Sequence, residues 1–220
     1  MAQLIDIIRV VVGTEYLTAT VRISDDAPLM TSEDLEGTTR VYNLMPSIID
    51  HACMGDHGTT FKDCMGDTEL AHLLEHVTVE LLARTNMVDT VVAGRTWREL
   101  AYERTYSIQL DCVDDVLVAG ALSSAAWIVS WAFSGGAGAV PDVNATVDGL
   151  AQLVRSLPDP GDAAAEGFDS SRQGDVYDDL YDDPYDDIYE DGPYDDDLDV
   201  PYDEDEESMD RGPRMSQKII

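Results

Sequence analysis

The chain has 220 residues, 44% of them apolar and 26% charged, enough for one domain of ordinary size and a further segment. Its 13 Lys and Arg face 45 Asp and Glu, and the net charge of −32 excludes nucleic acid as the main ligand, because phosphate recognition rests on cationic side chains. Cations and basic partners fit this balance better.

The charge is uneven. Residues 161–220 hold 22 acids against 4 bases (net −18), and residues 1–160 hold 23 against 9 (net −14). Cys53, Cys64 and Cys112 make an odd set with no paired framework, which points to free thiols in a reducing, cytoplasmic setting. The opening "MAQLIDIIRVVV" is apolar but broken by Asp6 and Arg9. It lacks a basic run and a cleavage site, so it reads as a strand rather than a signal peptide.

In chain order, residues 3–12 and 15–24 are rich in Val, Ile, Thr and Tyr and are separated by Gly13-Thr14, a β-hairpin pattern. Thr31 or Ser32 stands before acids as a helix start, and "TTRVYNLMPSIIDHACM" continues as helix, with Pro46 a kink or the first turn of a second helix. "GDHGTTFKDCMGD" is a loop. Asp67 or Thr68 then caps a helix over about 68–85, ending at Asn86. Strands are expected near 89–93 and 105–112, and helices over about 114–133 and 144–156. Strands and helices come in runs, so the expected class is α+β with a small, mostly antiparallel sheet packed with helices.

Residues 116–133 run 18 positions without a charge, the lower limit for a membrane span. They are rich in Ala, Ser and Gly and lack Lys or Arg anchors, so a buried core helix is the stronger reading and a transmembrane helix the weaker. The domain is expected to close at 157. From 158 to 220 the sequence is low in complexity, with Tyr-Asp-Asp units at Tyr177, Tyr181 and Tyr185, Tyr-Glu-Asp at Tyr189, further tyrosines at 194 and 202, and prolines at 184, 193 and 201. This reads as a disordered acidic tail, either solubilising or a tether for a basic partner.

All four histidines, His51, His57, His72 and His76, fall within 26 residues. On the helix over 68–85, His72 and His76 are four apart and project from one face, so both can reach one zinc ion. Glu75 lies beside them, placed to take a proton from an activated water. The order His-x-x-Glu-His is the inverted form of the zinc-peptidase motif. A catalytic zinc usually has a third protein ligand. Glu80 lies eight residues from His72, about 12 Å along the axis, too far to share the metal on one straight helix. His51 is the first choice for that ligand, with His57 and Cys53 next. Glu80 would then orient a ligand or grip substrate, and Arg95 would hold a substrate carboxylate. The competing reading takes Leu70, Leu73, Leu74, Val77 and Leu81 as the core stripe, with His72, Glu75 and His76 on a merely solvated face.

The stretches "LMPSIIDHACMGDHGTTF", "GDTELAHLLEHVTVELL", "GRTW" and "YSIQLDCVDD" resemble, in order and spacing, the N-terminal domain of cyanophycin synthetase, and the layout fits over about residues 1–157. The ATP-grasp and Mur-ligase-like modules of the full synthetase are missing from the chain, so it is not expected to be a ligase. In that family the N-terminal domain is associated with binding the Asp/Arg polymer, and in some members with a metal-dependent site that cuts it. The resemblance implies His72 and His76 as metal ligands and Glu75 as the catalytic residue, and it makes His51 notable. Departures from the family pattern fall at Asp50, Met54, Thr59, Thr60, Leu82 and Trp97, several of them in the expected substrate-contacting loop, while the His-x-x-Glu-His motif is retained.

The expectation is a Zn2+-dependent, peptidase-like hydrolase acting on cyanophycin or a related Asp/Arg peptide polymer. The alternative is a non-catalytic module that binds the polymer or the synthetase, with its tail recruiting a basic partner.

Overall fold

The computed structural model describes residues 3–54, 58–88 and 92–157, and the backbone of 214–217. Strands β1 (Ile5–Val12) and β2 (Tyr16–Ile23) form the expected hairpin, closed by Gly13 N–H donating to the Tyr16 carbonyl. Strict alternation on β2 sends Leu17, Ala19, Val21 and Ile23 inward, all fully buried. β1 carries a bulge between Ile7 and Arg9.

A 3₁₀ turn over Thr31–Glu33 precedes helix α1 (Leu35–Leu44). The cap of α1 is Asp34, whose carboxylate accepts from Gly37 N–H, rather than Thr31 or Ser32. α1 stops at Leu44, and Pro46 opens a second 3₁₀ turn, Pro46–Asp50, which delivers His51. Strand β3 is only Ala52–Cys53, and a third 3₁₀ turn covers Phe61–Asp63. Helix α2 (Leu70–Arg84) follows without a side-chain cap, because the Thr68 hydroxyl is bonded to the ring of His72 instead. Asn86, at φ 51°, turns the chain out of the helix in the left-handed conformation that Asn tolerates.

The strand expected near 89–93 lies at β4 (Ala93–Arg98), while β5 (Thr105–Asp111) is where expected. β4 is placed by its partner, with Gly94 opposite Leu110 and Thr96 opposite Ile108. Helices α3 (Asp115–Phe133) and α4 (Val143–Ser156) are capped by Asp114 and Asp142. Strand β6 (Arg214–Gln217) pairs antiparallel with both β4 and β3. The sheet order is β1-β2-β5-β4-β6-β3, every pairing antiparallel, and with the four helices the class is α+β. The expected acidic tail over 158–220 otherwise falls outside the described residues, as does the segment 89–91.

α3 is the helix with membrane-like length and hydropathy (mean 1.8), but 67% of that stretch is buried within the fold. It packs against α1, α2, α4 and β1, which makes it a core helix. α2 lies deepest. Every residue from Leu70 to Leu82 is buried, so no face of it is left to water.

Candidate metal centre

The burial of α2 decides the first question. One side of the helix meets the sheet and α3, and the His72-Glu75-His76 side is covered by the segment around residues 46–65 and by β4. His51, His72, Glu75, His76 and Glu80 are all 0% exposed. A solvated polar face is thus corrected to a polar interior, and buried polar groups must find partners.

The covering segment is fastened by its backbone. Phe61 N–H donates to the His51 carbonyl and Cys53 N–H to the Thr59 carbonyl, which sets 51–53 beside 59–61. Asp63 accepts from Thr59 and Thr60, and those donors hold its carboxyl below the usual range. The result presses the Phe61 ring flat on His76, with centroids 3.6 Å apart and planes at 20°, and edge-on to His72 at 5.6 Å. The His72 and His76 rings are 4.8 Å apart.

Two sets of donor atoms lie within 4.8 Å of one another, Cys53-Cys64-His72 and His72-Glu75-His76, and they share His72. Cys53 Sγ is 3.6 Å from His72 Nε2 and 3.7 Å from Cys64 Sγ. The Cys64 thiol, aided by His72 and His76, pulls the Cys53 pKa far below the usual thiol range against the opposing effect of burial. A thiolate, two imidazoles and a carboxylate enclosed together are a soft-to-borderline donor set of the kind that binds zinc.

The rings are oriented by their other nitrogens. His72 Nδ1 is 2.8 Å from Thr68 Oγ1, which directs Nε2 toward Cys53. His51 Nε2 is 2.7 Å from Glu80 Oε2, and His51 Nδ1 is 3.1 Å from His76 Nδ1. Glu80 also accepts from Ser47 and from Arg84 Nε. A carboxylate only accepts, so His51 donates from Nε2. With one proton per ring, His51 Nδ1 then accepts from His76 Nδ1–H, and His76 carries its lone pair on Nε2. Burial drives the His76 pKa down to about 3, so the ring is neutral at ordinary pH.

Glu75 is fixed from β4. Thr96 Oγ1 donates to its Oε2 at 2.5 Å. Gly94 gives it room, since a Cβ there would sit 2.7 Å from both Cγ and Oε1 of Glu75.

The sequence-derived residues therefore divide. His72, Glu75 and His76 come together with Cys53. His51 is adjacent but spends both nitrogens on Glu80 and His76, and Glu80 reaches the centre through it. Arg95 sits between Gly94 and Thr96 on the opposite, exposed face of β4, away from Glu75. His57 lies outside the described residues. Phe61, Cys64, Gly94 and Thr96 carry no local signal that marks them for the centre, and Thr68, expected from the sequence as a helix cap, instead bonds the ring of His72 four residues on.

Residues 20–131, just over half of the chain, match the family model described as cyanophycin synthase-like N-terminal domain. A search of curated proteins finds no match. The matched span runs from β2 into α3 and holds every described residue of the centre, and the chain accordingly belongs to the cyanophycin synthase-like N-terminal domain family.

Proposed function

We propose that the centre binds Zn2+ and that the domain is a metal-dependent, peptidase-like hydrolase of an Asp/Arg-containing peptide polymer. The observation that carries the reading is the convergence of His72, Glu75 and His76, with Cys53 Sγ 3.6 Å from His72 Nε2. We take His72 Nε2, His76 Nε2 and Cys53 Sγ as the metal donors, with Cys53 replacing His51 as third ligand. Bound zinc would supply acidification of water and polarisation of the scissile carbonyl.

The chain's own groups do the rest. Glu75 takes the proton from the attacking water and passes it to the leaving nitrogen. Thr96 aims its carboxylate, and the space at Gly94 lets the carboxylate stand where it does. Thr68 and His51 fix the histidine tautomers, and Glu80 holds His51. Phe61 keeps the His76 ring from turning. The family supplies the substrate context of cyanophycin or its synthetase. The described cysteines, all unpaired by disulfide, suit a cytoplasmic home.

The complete burial of Glu75 favours a second reading, a metal-stabilised binding module without turnover. One experiment separates the two. Protein purified without chelators is assayed for zinc and for hydrolysis of cyanophycin and of generic peptides, wild type against Glu75→Gln. The first reading expects about one zinc per chain in both proteins and hydrolysis only in wild type. Zinc and polymer binding without hydrolysis in either would establish the module. Absence of zinc would overturn both.

A further inference from the structure

β1 ends the sheet, and among the described residues nothing pairs with its outer edge. It is eight residues long, and Ile8, Val10, Val11 and Val12 are 58%, 41%, 45% and 51% exposed. Edge strands are ordinarily kept from pairing by Lys, Pro, shortness or a bulge; β1 is long and has neither Lys nor Pro, and its one such feature is the bulge at Ile8. Beside it, Ile5 and Ile7 of β1 and Ala126 and Trp127 of α3 line a groove whose remaining lining is Gln3, Ser123 and Ser130, with Trp127 45% exposed. Soluble monomers rarely leave a strand edge and a contiguous apolar surface open together.

The charges on β1 identify the occupant. Asp6 lies opposite Arg22 and Arg9 opposite Thr20, and those two β2 residues are two apart and share a face. The bulge at Ile8 is what brings Asp6 and Arg9, three residues apart, onto the same face. Ile5 and Val10 are likewise both on the core side, opposite Ile23 and Ala19. A strand with this layout is complementary to itself. In an antiparallel pair in which the two partners' residue numbers always add to the same total, Asp6 of one copy stands opposite Arg9 of the other, and Ile5 opposite Val10. Each pair lies on one face, as antiparallel pairing requires. Val10 of the second copy then stands beside Ile5, over the groove.

We propose that the protein is a two-fold dimer joined through β1, the two sheets continuing into one with reciprocal Asp6–Arg9 ion pairs across the seam. Such an isologous contact closes on itself and leaves no further edge on that side. It is independent of the metal centre, which lies toward the other end of the sheet at β4 and β3.

The test is the mass of the full chain in solution, by light scattering over roughly 1–100 µM. The wild type is expected at about twice 24.1 kDa. Arg9→Asp, which sets four like charges at the seam, is expected to give monomer. Asp6→Arg does the same from the other side, and the double variant Asp6→Arg/Arg9→Asp recovers the dimer because the pairs are restored with reversed sign. Both side chains are exposed, so circular dichroism should report unchanged folding in each variant. A wild type that is monomeric throughout overturns the proposal, as does a dimer that Arg9→Asp leaves intact.

Discussion

Replacing Glu80 with Gln changes one oxygen into an NH2, and its consequence can be followed atom by atom. Ser47, Arg84 and His51 each donate to the Glu80 carboxylate. A glutamine can keep its carbonyl toward Ser47 and Arg84, but its amide protons then face His51 Nε2. That nitrogen must become an acceptor, so the His51 proton moves to Nδ1 and is donated to His76 Nδ1. His76 in turn carries its proton on Nε2, the atom proposed to bind metal. A single substitution two hydrogen bonds away thus protonates the donor. Loss of such an orienting partner weakens metal binding by about 10–100-fold, roughly 1.4–2.7 kcal/mol. The apo protein should lose about 1–3 kcal/mol for the disturbed buried hydrogen bonds. Competition against a chelator of known zinc affinity measures the first quantity and urea unfolding the second. Long-range nitrogen–proton NMR on the imidazoles reads the tautomers directly. Wild-type zinc affinity in Glu80→Gln, or unchanged tautomers of His51 and His76, would refute the reasoning.

Two further outcomes are expected. Gly94→Ala puts a methyl 2.7 Å from Cγ and Oε1 of Glu75. It should cost about 1–3 kcal/mol and abolish hydrolysis by pulling the carboxylate from Thr96, and an Ala variant as stable and active as wild type would contradict this. The metal-free protein should also lose stability in mild acid. The His76 pKa is lowered from 6.5 to about 3, so below pH 6.5 the unfolded chain takes up a proton that the folded one refuses. The stabilisation is full above that value and falls with pH by up to about 1.4 kcal/mol per unit. Urea midpoints at several pH values between 7.5 and 5 measure it, and a flat profile would count against a neutral His76.

Local pattern reached the helices and the His72-Glu75-His76 face because helical period and spacing are contained in a few consecutive residues. It failed where position depends on a distant partner. Val91 and Val92 have strand-forming side chains and Gly94 disfavours a strand, so local pattern alone favours 89–93. The strand is set instead by pairing with β5, and the glycine is tolerated because Glu75 needs its space. The same shift decided Arg95, since strand parity sends it away from Glu75 once Gly94 and Thr96 face inward. Cys64 carries no close cysteine spacing, and it meets Cys53 only because 51–53 pairs with 59–61. His51 stands beside His76, and its second nitrogen is occupied by Glu80, a partner brought from another element that local pattern does not reveal.

The helix that carries the centre is also the keel of the domain, with water reaching none of its residues from Leu70 to Leu82. Three imidazoles, two carboxylates and two thiols occupy volume that most domains of this size fill with hydrocarbon. On the proposed reading, the ion acts as a fastener before it acts as a reagent. A ligand that binds only the folded chain adds about 2.7 kcal/mol to its stability when present at a hundredfold excess over its dissociation constant. Zinc supply would then govern how much folded protein persists as well as how fast it turns over. A chelator would be expected to act on the domain as a denaturant does.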